Sequence, residues 1–264
     1  MFGFRQWRRQ RILRSGGVDD ASWTRAVNRF SFAVRLTEQE RVQLRNLVVL
    51  FLHEKQISAA GGLMLDQEMK LGIAIQACIL VLNLGVDYYD GWGEIIVYPD
   101  EFVPRHEIRN EHGLVETDER SYAGQAWLHG PVILSWADVE IAGDPDGANV
   151  VIHEFAHKLD MLNGGANGFP PLHAAMSREA WTKAFTEAYK DLRRRVEAGE
   201  DTDIDPYAIE APGEFFAVMS EAFFEIPDIV RESYPAVYAQ LTEFYRQDPA
   251  SRELPREWRL RGRA

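Results

Sequence analysis

Val151-Ile152-His153-Glu154-Phe155-Ala156-His157-Lys158-Leu159-Asp160 is the stretch that decides the fold. On an α-helix, residues four apart share a face, so His153 and His157 point at a common centre. Two imidazoles at that spacing can hold one zinc ion, and Glu154, one step round the helix, can reach a water beside it. The flanks supply the helix that this reading needs. Asp144-Pro145-Asp146-Gly147 is a turn cluster, and Asp146 or Asn149 can cap a helix that begins after it. Val150, Val151, Ile152, Phe155, Ala156, Leu159, Met161 and Leu162 give that helix an apolar surface to bury, and Asn163-Gly164-Gly165 ends it. Two histidines and a glutamate inside a buried helix point to a zinc-dependent hydrolase, with peptides as the first substrate class.

A catalytic zinc usually takes three protein ligands and keeps a fourth position open. None of the five other histidines, His53, His106, His112, His129 and His173, stands six residues beyond His157, where Asn163 sits. The three-histidine pattern is therefore excluded. A carboxylate from a second helix is the alternative. Pro212-Gly213-Glu214-Phe215-Phe216-Ala217-Val218-Met219-Ser220-Glu221-Ala222-Phe223-Phe224 opens on a helix-start pair and is apolar round most of its circumference. Glu214 and Glu221 lie two turns apart on one face, and carboxylates on a buried helix need a partner or a metal. Glu214 is the first choice of third ligand and Glu221 the second.

The rest of the chain sets bounds. Of its 264 residues, 46% are hydrophobic, which indicates a folded protein with a sizeable core. The net charge of −12 argues against general nucleic-acid binding. Leu71–Leu84, the longest apolar stretch, contains Gln76 and Asn83 and is too short to span a bilayer. Met1-Phe2-Gly3-Phe4 runs straight into arginines without the apolar segment of a signal peptide. The single cysteine, Cys78, reads as a buried small hydrophobe. A cytoplasmic protein is expected. Thr37-Glu38-Gln39-Glu40 is a capping box for a helix towards Gln56, Asp66 caps a helix to about Leu82, and Ser177 caps one to about Glu197. Further helices are expected from Pro212 and over about Pro235–Arg246, and strands near 94–98 and 131–136. This is an α+β pattern, helices around a small mixed sheet. Residues 1–29, with Arg5, Arg8, Arg9, Arg11 and Arg14, read as a basic N-terminal extension. Residues 30–250 read as one domain and 251–264 as a basic tail. The arginine-rich ends read as solvated and mobile; docking to an acidic protein or a lipid surface is the functional alternative.

His153-Glu154-Phe155-Ala156-His157-Lys158-Leu159-Asp160, with Glu214-Phe215-Phe216-Ala217-Val218-Met219-Ser220-Glu221 and Phe223-Phe224, resembles the Mlc titration factor A (MtfA) family. Glu94–Pro99, Gly130–Trp136, and Gly61-Gly62-Leu63 leading into Ile73–Cys78 look like that family too, so the likeness spans about residues 30 to 250. It implies a helical zincin-like fold of the gluzincin type, with a core similar to lethal-factor-type proteases. It also implies a cytoplasmic zinc aminopeptidase-like activity and an association with Mlc, a transcriptional repressor of the glucose phosphotransferase system. By the resemblance, Glu214 is the third zinc ligand and Tyr207, otherwise a packed loop tyrosine, faces the site.

The expected chemistry is hydrolysis by a zinc-activated water with Glu154 as general base. Tyr207 would hydrogen-bond the developing oxyanion. Asp160 is either a ligand-orienting residue or a plain helix-end residue, and the strand Pro131–Trp136 either pairs with an extended substrate or is ordinary core. The rival reading is a non-catalytic regulator that sequesters a transcription factor.

Overall fold

The computed structural model describes residues 2–99, 108–109, 115–116, 130–143, 146–255 and 258. The polar loop expected between the second and last strands, with His106, His112 and His129, lies largely outside the described residues, as does most of the basic tail.

Helix formation tracks the capping residues. Thr37 starts α4 (Glu38–Glu54) with a reciprocal capping box to Glu40. Asp66 caps α5 (Gln67–Leu80), whose ten residues from Leu71 to Leu80 are all buried, Cys78 among them. Ser177 caps α8 (Arg178–Glu197) through the Ala180 N–H. Pro212 fixes the first turn of α9 (Pro212–Glu225), and Pro227 and Pro235 do the same for α10 (Pro227–Ser233) and α11 (Pro235–Tyr245). Proline suits these starts because the N–H it lacks has no partner in a first turn.

The sheet has three strands, β1 (Gln56–Ala59), β2 (Glu94–Tyr98) and β5 (Val132–Ser135), in the order β1-β2-β5. Both pairings are parallel, so this sheet is not itself mixed; the antiparallel pairing is a separate ribbon of β3 (Ile108–Arg109) with β4 (Val115–Glu116). β1 is a strand that the sequence hides, because Gln-Ile-Ser-Ala comes directly after a strong helix signal without a glycine or proline between. Short α6 (Trp136–Ile141) leaves the end of β5 and leads to α7 (Val150–Asp160).

The basic N-terminal stretch contains α1 (Phe2–Arg14) and α2 (Asp20–Val27), followed by the single turn α3 (Ser31–Val34). α1 lies on the body rather than free of it. Arg5 donates to Asp90 at 2.7 Å and Arg9 to Glu54 at 3.0 Å, while Ile12 and Leu13 pack against the apolar core. These local acids explain what composition could not, namely why the arginine-rich stretch is held.

At the centre α7 lies between α5 and α9, with β5 beside it. Phe155 stacks edge-on with Tyr89 and Trp92, while Phe215 and Phe216 of α9 meet Phe185 and Trp181 of α8. Aromatic walls of this kind fix α7 and α9, the two helices that carry His153, His157, Glu214 and Glu221.

Candidate metal centre

Asn149 is the residue that starts α7: its side chain accepts from the Ile152 N–H at 3.0 Å. The helix then turns His153 and His157 towards α9, with ring centroids 4.7 Å apart. It ends at Asp160, passes through a short 3-10 turn over Met161–Asn163, and reverses at Gly164, where φ is +139°. The sequence pattern alone places the end slightly further on, at the asparagine–glycine pair itself.

Three side chains converge. His153 Nε2 lies 3.0 Å from Glu214 Oε2, His157 Nε2 lies 3.2 Å from the same oxygen, and the two imidazole nitrogens are 3.1 Å apart. A tetrahedral zinc with bonds of about 2.0–2.1 Å spaces its donors roughly 3.4 Å apart. The triangle is thus nearly the size of one face of that tetrahedron. Two imidazoles and one carboxylate also form a donor set suited to zinc rather than to the all-oxygen cations. The residues fit the ion, and among the described residues this is the group able to hold one.

Glu221 separates from Glu214 by function. His153 Nδ1 donates to Glu221 Oε1 at 2.7 Å, and the Asn149 N–H donates to Glu221 Oε2. That bond holds the Nδ1 proton, so Nε2, which faces the triangle, is the nitrogen that would bind a metal once its own proton is released. Behind it, Asn149 Nδ2 donates to Glu225 Oε1 at 2.8 Å and Ser31 Oγ donates to Glu225 Oε2 at 3.3 Å. The network anchors the start of the histidine helix to the far end of α9. Glu225 is the member that sequence reasoning missed; Asn149 was expected as a helix cap and not as a partner of the glutamates. The signal for Glu225 was present: Glu214, Glu221 and Glu225 fall at spacings of seven and four along a helix whose other residues, Ser220 apart, are apolar or small.

Charge balance in the cluster is steep. Burial opposes the His153 imidazolium, but Glu214 and Glu221 on its two ring nitrogens raise its pKa to about 10. Burial likewise opposes the Glu214 carboxylate, but the two imidazoles lower it to about 2. A dication in the triangle competes with the proton held there, so metal binding is linked to proton release. Burial pushes the Glu154 carboxyl up, while His153 and His157 pull it down. Burial pushes the Glu225 carboxyl to about 8.

Tyr207 sits on a 3-10 turn, Pro206–Ile209, capped by Asp205 and packed on α9. The residue is 52% exposed and its ring centroid is 6.0 Å from that of His153. Burial, with Glu214 and Glu154 nearby, pushes its phenol up, which keeps the hydroxyl protonated as a donor. Asp160 orients no imidazole: it accepts from the Gly168 N–H at 2.7 Å and from the Phe169 N–H at 2.8 Å. It therefore holds the loop after α7 rather than a ligand. Gly168, at φ +76°, and Gly213 are where this loop and the start of α9 meet backbone to backbone, on Pro212 O and Ala166 O. A Cβ at either position would crowd a carbonyl oxygen, so the loop sets the separation of Glu214 from the histidines. β5 is an edge strand among the described residues, next to α7. His173 is elsewhere, its Nε2 donating to Phe244 O at 2.8 Å.

Known proteins are similar to this chain along almost its whole length. Mlc titration factor A of Salmonella typhimurium (strain LT2) is 36% identical over 248 residues, 93% of this chain and 92% of the relative. The Mlc titration factor A of Salmonella arizonae is also 36% identical, over 93% of this chain and 97% of its own length. Residues 4–246 match the family described as glucose-regulated metallo-peptidase M90, and the chain belongs to that family.

Proposed function

We propose that this metallopeptidase is a cytoplasmic, zinc-dependent, aminopeptidase-like enzyme of the gluzincin type. The observation that carries the proposal is the triangle of His153, His157 and Glu214 with Glu154 on the same helix. Bound there, zinc would supply Lewis acidity, making a water more acidic and polarising a substrate carbonyl. Glu154 takes the proton of the attacking water and delivers it to the leaving amine; its raised pKa suits both steps. Tyr207 turns its protonated hydroxyl towards the oxygen that gains charge. Glu221 keeps His153 in one tautomer throughout. The edge of β5 that pairs with no strand among the described residues, beside α7, takes an extended peptide and lays it across the site.

Glu154→Gln tests this reading, because the amide keeps the shape and cannot take the proton. Hydrolysis of peptide substrates should fall by about 10²–10⁴-fold with zinc content unchanged. Cleavage at the wild-type rate would refute the role of Glu154.

The relatives' name favours a second reading on the same chain, binding of an Mlc-like transcriptional repressor. The two are separable. A protein acting only as a repressor-sequestering regulator would bind such a partner equally well as Glu154→Gln and would show no peptidase activity in either form.

A further inference from the structure

Helix α1, Phe2–Arg14, contains five arginines and no acidic residue. At 100° per residue its side chains divide into two faces. Arg5, Arg9, Ile12 and Leu13 face the body. There Arg5 meets Asp87 and Asp90, and Arg9 meets Glu54 and Asp87. Phe4, Trp7, Arg8, Arg11 and Arg14 fall within the opposite third of the circumference. Phe4 and Trp7 stack on each other with centroids 5.8 Å apart, yet they are 72% and 55% exposed. The Arg11 guanidinium lies 5.8 Å from the Trp7 ring. Arg8, Arg11 and Arg14 are exposed, and the ion pairs of α1 among the described residues are those of Arg5 and Arg9.

We propose that this outward face docks α1 on an anionic lipid surface. Two observations select that partner. The face combines two large exposed aromatic rings with three arginines, the composition of helices that lie in a membrane interface with rings at the acyl boundary and cations among headgroups. The protein as a whole carries a net charge of −12, so an anionic bilayer disfavours most orientations and favours one that presents the acid-free α1. The inner arginines neutralised by Asp87, Asp90 and Glu54 hold the helix on the protein while the outer set reads the surface. No helix among the described residues is long and apolar enough to cross a membrane, so the association is peripheral.

The test is sedimentation of the full chain with vesicles of phosphatidylcholine alone and of equal parts phosphatidylcholine and phosphatidylglycerol. The wild type should bind the anionic vesicles, release them at high salt, and ignore the neutral ones. Arg8→Gln, Arg11→Gln and Arg14→Gln together should weaken binding roughly a hundredfold, at about 1 kcal/mol for each cation near the surface. Phe4→Ser with Trp7→Ser should weaken it at least about tenfold. Both variants replace exposed side chains, and unchanged circular dichroism melts establish that they fold. Equal binding to the two vesicle types, no binding to anionic vesicles, or full binding by the triple variant would overturn the proposal. A wild-type dimer that ignores vesicles and becomes monomeric in the aromatic variant would overturn it too, in favour of a second copy as the occupant.

Discussion

Replacing Glu221 by glutamine changes one oxygen to NH2 at a place where two donors converge. In the protein the carboxylate accepts from His153 Nδ1 at 2.7 Å and from the Asn149 N–H. Glutamine has a single acceptor oxygen. If that oxygen faces His153, the amide NH2 confronts the Asn149 N–H at the start of α7. If it faces Asn149, the NH2 donates to Nδ1 and drives the imidazole proton to Nε2, the nitrogen aimed at Glu214. Either way a charge-assisted bond is lost; in the first orientation one buried donor also meets another, at about 1–3 kcal/mol, and in the second Nε2 no longer offers its lone pair to a metal. Outer partners of metal-binding histidines typically contribute 10–100-fold in metal affinity, which is about 1.4–2.7 kcal/mol, the same range. Competition with a chelator of known affinity should therefore show zinc held about 10–100-fold more weakly at unchanged stoichiometry. Affinity within twofold of the wild type would refute the orienting role. Complete loss of zinc in Glu221→Gln, with retention in Glu214→Ala, would exchange the roles of the two glutamates.

The same geometry sets three further outcomes. Tyr207→Phe removes one donor from a half-exposed ring and should lower kcat by about 10²–10³-fold with KM little changed; a change confined to KM would make Tyr207 a binding residue. Glu225, buried, has a folded-state pKa of about 8, above its ordinary value of 4.5. Between those values the folded protein keeps a proton that the unfolded chain has released, so stability falls as pH rises towards 8. Relative to Glu225→Gln, which has no such proton, the wild type should lose roughly 2 kcal/mol between about pH 6 and 8 in denaturant titrations, at about 1.4 kcal/mol per unit below the folded pKa; parallel curves would contradict this. Gly168→Ala places a Cβ against Pro212 O at a φ of +76°. It should destabilise by at least about 2 kcal/mol in thermal melts and weaken zinc binding, because the start of α9 must move.

The histidine helix was legible because its polar residues contradict its apolar surroundings. Its cap, its glycine end and the Pro212 start of α9 obey local rules that sequence states directly. The assignment of Glu214 and Glu221 was not legible from spacing, since two turns apart on one helix they differ only in depth relative to α7. That depth is a tertiary quantity, set by the close approach of Gly168 and Gly213. Composition also understated the N-terminal helix. The counterions that hold Arg5 and Arg9 come from Glu54, Asp87 and Asp90, far along the chain, and a charge run alone does not reveal them. β1 escaped for a similar reason: four residues become a strand because β2 is there to pair with.

The 56 residues between His157 and Glu214 leave and return through a narrow mouth. At that mouth Asp160 grips two amides, and the backbone around Gly168 and Gly213 is in contact with itself. The distance between the histidines and the glutamate is therefore set first by a few residues at the mouth, with Trp181 and Phe185 of α8 backing α9 from within the excursion. A cut in the exposed stretch Gly199–Asp201 would leave two fragments that still hold the triangle closed. A single residue inserted between Gly164 and Gly168 would open it. The chain thus combines a tolerant outer circuit with a mouth that admits no change of length, and the metal chemistry depends on the second.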